Sequence, residues 1–189
     1  ARYDSVDVIV RRPEGQAPVN ELFVKFGACV EDVLKFETEA YGKPELKKVS
    51  DKETGVKYTS VKAVRSFYDN PSRGVYYHFD ENDRLRQIVV PFIFAMVRED
   101  AEKFTRYMLS QGAPVAELGG FKVALLYSGE SESDYLSATE ALRKGEVDNP
   151  VVAGKVAICY AFSQSVEPAI IYFPAKDLYD FPRYSYDFW

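Results

Sequence analysis

Apolar residues recur at two different spacings along this chain, and the alternation between those spacings sketches an architecture. From Ala28 to Tyr41, the residues Val30, Val33, Leu34 and Tyr41 fall three, four and seven positions apart, on one face of a helix. Glu31 and Asp32 stand in its first turn, where carboxylates complement the partial positive charge of the open amides. Gly42 suits the left-handed residue that follows a helix, and Pro44 bars continuation. A second run of this kind begins at Glu99. It places Phe104, Tyr107 and Met108 on one side and stops near Gln111-Gly112-Ala113-Pro114.

Elsewhere the period drops to two, or short apolar runs stand between turn residues. Val6, Val8 and Val10 alternate with Ser5, Asp7 and Ile9 in a strand from Tyr3 to Arg12, and a Pro/Gly loop follows to Pro18. Leu46 to Asp51, Gly55 to Val64, Phe121 to Tyr127, Lys155 to Phe162 and Ala169 to Phe173 read as further strands. Val75 to Phe79 and Leu85 to Ile93 form the clearest hairpin, turning at Asp80-Glu81-Asn82-Asp83-Arg84. Pro91 has no amide hydrogen, so its strand is expected to end there or to lie at an edge.

Helix, stop, strand, loop and hairpin occur in that order twice, about seventy residues apart. Gly42 answers Gly112 and Tyr58 answers Tyr127. The last hairpins are further apart because Ser128 to Pro150 is an insertion, expected to hold a short helix from Asp134 to Lys144 with Ser133 as cap and Gly145 as stop. Such a period suggests duplication. The expected fold is α+β, with two similar units that each pack a helix on an antiparallel sheet. The units are residues 1–96 and 97–176 (insertion 128–150), followed by an aromatic tail, 177–189.

Composition sharpens this picture in one respect. Tyrosine and phenylalanine number 14 and 13 of 189 residues, against one tryptophan and two methionines, which favours sheet. If both helices cover one sheet face, the other presents tyrosines to a partner, with Tyr76, Tyr77, Tyr160 and Tyr172 as candidates. The tail adds Tyr184, Tyr186, Phe188 and Trp189, and the first three alternate with Ser185, Asp187 and Trp189 as in a strand able to add to a sheet edge. A net charge of −5 argues against nucleic acid as a partner. No apolar run reaches the roughly 18 residues of a membrane span. The chain opens on Ala1, compatible with a removed leader.

No residue set announces a reaction. His78 is the only histidine and stands in the strand Tyr76-Tyr77-His78-Phe79, so neither a catalytic triad nor a histidine-based metal site is expected. Cys29 and Cys159 read as two buried free thiols or as one disulfide in an oxidising compartment. Glu37 with Glu39, and Asp80 with Glu81 and Asp83, read as a solvated helix face and a hairpin turn. The acids Glu130, Glu132 and Asp134 of the insertion leave open a carboxylate-using enzyme.

One resemblance is legible in the first unit. Phe26-Gly27-Ala28-x-x-Glu31-Asp32-Val33, then Glu39-x-Tyr41-Gly42, then Tyr77-x-Phe79-Asp80-Glu81-Asn82-x-x-Leu85, resembles the helix-plus-sheet repeats of β-lactamase-inhibitor-protein-like domains and related SmpA/OmlA-like envelope lipoprotein domains. The likeness covers about residues 22 to 92, and beyond them only the order of elements matches. Asp83-Arg84 replaces the usual turn glycine, and the second helix lacks the glycine-small opening. The resemblance implies an exported bacterial protein, periplasmic, at the cell surface or lipid-anchored. It implies recognition of a protein or envelope component through a sheet face, with no catalytic residue; the residues themselves lead to no cofactor or metal being expected. A structural subunit whose tail docks on a neighbour is the other non-catalytic expectation.

Overall fold

The computed structural model describes residues 21–50, 55–68, 72–91, 98–119, 121–163 and 166–180. The expected strand from Tyr3 to Arg12, the loop after it, and the tail residues Tyr184, Tyr186, Phe188 and Trp189 lie outside them.

Eight strands form one antiparallel sheet. They are β1 (Glu45–Ser50), β2 (Lys57–Ala63), β3 (Val75–Phe79), β4 (Leu85–Pro91), β5 (Gly112–Leu118), β6 (Phe121–Leu126), β7 (Val156–Ser163) and β8 (Val166–Pro174). Their order across the sheet is β1-β2-β3-β4-β8-β7-β6-β5, so β4 and β8 meet at its centre and β1 and β5 are its edges. Helix α1 (Val30–Ala40) precedes β1, α2 (Arg98–Leu109) precedes β5, and α3 (Glu132–Arg143) lies between β6 and β7.

Alternation along the strands builds a core on each face. On one face Val61, Val75, Tyr77, Ile88, Val90, Ile158, Ile170 and Tyr172 pack with Val30 and Val33 of α1 and Met108 of α2. On the other, Val89, Val123, Leu125, Cys159, Ile171 and Phe173 pack with Ala138, Ala141 and Leu142 of α3. The first two helices therefore share one face, as expected, and the helix of the insertion covers the opposite one. This corrects the expectation of a tyrosine-rich exposed face: Tyr76, Tyr77 and Tyr172 are completely buried. Tyr160 is half-buried. Tyr76 joins the core that α3 helps to build, while Tyr77 and Tyr172 alternate to the face of α1 and α2.

Several boundaries moved for local reasons. The cap of α3 is Ser131, not Ser133: its side chain accepts a hydrogen bond from the Asp134 amide, and the helix starts two residues earlier. Gly145 stops it as expected, in the left-handed region at φ 79°. Gln111-Gly112-Ala113-Pro114, expected as the stop of the second helix, leads directly into β5. As an edge strand with a register shift between Pro114 and Ala116, β5 tolerates both Gly112 and Pro114. Pro91 ends β4, which is central rather than marginal and pairs with β8 up to Pro91↔Ala169. Cys29 and Cys159 are free thiols. No described helix is long and apolar enough to cross a membrane.

Candidate functional site

The central ladder does not run the full length of its strands. Strands β4 and β8 pair from Pro91↔Ala169 to Ile88↔Tyr172. Beyond Ile88, β4 stays with β3 as far as Leu85↔Phe79, and beyond Tyr172, β8 stays with β7 as far as Pro174↔Val156. The sheet forks there, and a cleft of about 450 Å³ opens at the fork.

Four short segments wall it: Val24–Gly27 ahead of α1, the β3–β4 turn with the start of β4, the turn into β7 at Ala153–Val156, and the end of β8 from Pro174 to Asp177. Each is fixed by its own bonds. The Gly27 amide donates to the Leu85 carbonyl at 2.8 Å and the Leu85 amide to the Ala28 carbonyl at 2.8 Å, which laces the approach to α1 onto the base of β4. Gly27 takes φ 91°, a conformation that only glycine adopts without strain. On the far wall the Ala175 amide donates to the Lys155 carbonyl at 2.9 Å. Asp80 organises the hairpin turn, its Oδ1 accepting from the amides of Asn82 at 2.8 Å and Arg84 at 3.0 Å.

The first wall is tied down further by a buried ion pair. Glu37 of α1 is fully buried, and Arg65 grips both its oxygens, Nε to Oε1 at 2.8 Å and Nη2 to Oε2 at 2.9 Å. The Tyr77 hydroxyl donates to Glu37 Oε2 at 2.6 Å and accepts from the Phe23 amide at 3.2 Å. Arg65 Nη2 also donates to the Glu21 carbonyl at 2.6 Å, and the guanidinium stacks on the Tyr41 ring at 3.8 Å. Burial works against the charge on Arg65, but the hydrogen bonds and charge of Glu37 outweigh it and raise the guanidinium's pKa. Glu37 was expected on a solvated helix face; it is instead the anchor that holds Glu21 and Phe23 where the chain enters the cleft wall.

The cleft carries a charge opposite to that of the chain. Five lining side chains are cationic (Lys25, Arg84, Arg86, Lys155 and Lys176) and two are acidic (Asp80 and Asp177), in a protein of net charge −5. Lys25, Arg84 and Lys176 are exposed and make no ion pair with a described residue. Lys155 leans 3.8 Å from Glu130 Oε2, just ahead of α3. Burial tends to raise the pKa of that carboxyl, but the Ser128 hydroxyl and the Lys155 ammonium hold it below its ordinary value. Arg86 stacks over the Tyr58 ring at 5.2 Å. Of the two acids, Asp80 is engaged by its turn, and burial raises the Asp177 pKa against the lowering charge of Lys176. Val24, Phe26, Leu85, Val156 and Pro174 supply the apolar surface between the charges.

The residues singled out for chemistry lie apart. His78 sits on β3 beside Tyr58 and Tyr76, with ring centroids 5.4 Å and 6.3 Å away. Burial first, then the Arg86 charge, pulls its pKa down to about 3, so the imidazole is neutral at pH 7. Burial alone raises the Cys159 thiol well above its ordinary value. Tyr135 of α3 turns to the sheet edge, donating to the Leu125 carbonyl and accepting from the Ala113 amide. Among the described residues no cluster of three His, Cys, Asp or Glu side chains gathers as a metal would require. The cleft cations form no motif in the sequence because they stand in four separate loops and strand ends, and only the topology brings them together. Compared with known protein families, curated proteins and solved structures, the chain finds no match.

Proposed function

We propose that this protein is a non-enzymatic binding domain of an exported protein, and that its ligand seats in the cleft at the fork of the sheet. The observation that carries this is the cleft itself. It is a preformed hollow of about 450 Å³ within the size range of ligand sites, apolar at its base and cationic at its rim, on an acidic chain. Binding rather than catalysis is supported by the state of the reactive groups. The one histidine is buried and neutral, and the buried thiol is held protonated. The order of elements supports two similar units, since α1 and α2 each precede four strands of the sheet and the units meet at β4 and β8. The cleft then lies at the seam between the units, where a partner can touch both.

Thermal unfolding of the wild type and of Ala153→Trp against a panel of anionic, cationic and neutral small molecules tests this. Ala153 is an exposed lining residue, so tryptophan there obstructs the mouth without entering the core. A compound that raises the melting temperature of the wild type but not of the variant supports the cleft. Compounds that stabilise both proteins equally refute it.

A further inference from the structure

The geometry points to a ligand class: we infer that the cleft receives a small organic anion, whose carboxylate or phosphate group meets Lys25, Arg84 and Lys176 while its apolar body lies against Phe26, Leu85 and Val156. This rests on the cleft being the ligand site and goes beyond it by naming the chemistry. Three observations carry it. The three cations come from three different walls, the approach to α1, the β3–β4 turn and the end of β8, so they surround the opening rather than line one exposed helix. None of the three is in a contact ion pair with a described residue, Lys176 acting on neighbouring Asp177 only through its charge, whereas Lys155 leans on Glu130 and Arg86 on Tyr58. The acids are fewer, Asp80 and Asp177 against five cations, and Asp80 Oδ1 is turned to the amides of its own turn. A cation entering the cleft would meet this excess positive charge, and a neutral ligand would leave it unused. An inorganic anion would use the charge but leave Phe26, Leu85 and Val156 wet, so an apolar body adds affinity in proportion to the surface it covers.

Calorimetric titration of the full chain with phenyl phosphate, inorganic phosphate and benzyl alcohol separates these contributions. Phenyl phosphate is expected to bind, inorganic phosphate to bind more weakly, and benzyl alcohol not to compete. Reversal of the rim in Lys25→Glu/Arg84→Glu/Lys176→Glu is expected to weaken phenyl phosphate by about tenfold or more. All three positions are exposed, and an unchanged melting temperature of the free variant shows that it is folded. Affinity for phenyl phosphate should also fall as salt rises. Benzyl alcohol binding as tightly as phenyl phosphate, with Ala153→Trp blocking both, overturns the anionic class and leaves the cleft standing as a site. Phenyl phosphate binding that ignores both the reversed rim and Ala153→Trp overturns the inference and the cleft together. Absence of any binding by phenyl phosphate to the wild type overturns the inference.

Discussion

Glu37 is the residue whose surroundings differ most from its sequence context. It is a carboxylate on the buried face of α1, in line with Val30 and Val33, whereas Glu39, two positions on, turns to the exposed side. A buried carboxylate is tolerable only when it is paired and its lone pairs are used, and Arg65 and Tyr77 do both. Arg65→Met removes the counter-charge and leaves the carboxylate buried, at an expected cost of about 3–5 kcal/mol in denaturant unfolding. The amides of Glu21 to Phe26, which the network positions, should exchange hydrogen faster in that variant. His78 makes a second prediction at this scale. Its folded pKa is about 3 against an ordinary 6.5, so between those values the unfolded chain binds a proton that the folded chain refuses. Its contribution is therefore present above pH 6.5 and is lost as pH falls towards 3, by an amount that reaches about 5 kcal/mol. His78→Gln cannot titrate. Its stability deficit relative to the wild type, measured by denaturant at pH 7 and at about pH 4.5, should shrink at the lower pH. A deficit independent of pH would show that the imidazole ionises freely in the fold.

At the scale of elements, strand and helix types were legible wherever a period persisted. The runs that became α1, β3, β4 and β6 are visible in the spacing of Val30, Val33, Val75, Tyr77, Ile88 and Val123. Strand β5 was not, because Gly112 and Pro114 are turn residues in most settings and an edge strand is one of the few places that accepts them. What makes β5 a strand is its partners, which local sequence does not encode. The Tyr135 hydroxyl donates to the Leu125 carbonyl and accepts from the Ala113 amide, and Arg143 Nε donates to the Pro114 carbonyl at 2.8 Å. The insertion helix thus braces the edge. Tyr135→Phe should cost about 1–2 kcal/mol and speed hydrogen exchange in β5 more than in β7. Gly112→Ala should cost more, because its added methyl would run into the backbone carbonyl of Leu125, with no flexible side chain to give way. The same helix explains the failed expectation about tyrosines. Periodicity told which residues alternate, but not that a segment after Ser128 would fold back over the second face.

At the scale of the molecule, the order β1-β2-β3-β4-β8-β7-β6-β5 joins two four-stranded halves through a single ladder, β4 with β8. The cleft exists because that ladder is shorter than the strands that form it, and each strand at the fork follows its own half instead of its neighbour across the centre. The single joining ladder and the fork could not be read from the chain. The five cations, at positions 25, 84, 86, 155 and 176, are scattered over about 150 positions of an acidic sequence, and only Arg84 and Arg86 are close in the chain. The proposed ligand site is accordingly the cleft at the fork. The measurement that tests it most directly is an amide chemical-shift map of the full chain titrated with phenyl phosphate. The account predicts saturable shifts that cluster at Gly27, Arg84, Gly154, Lys155 and Asp177, on all four walls of the fork. Saturable shifts confined to the β1 or β5 edge, or to the outer face of α3, would contradict it.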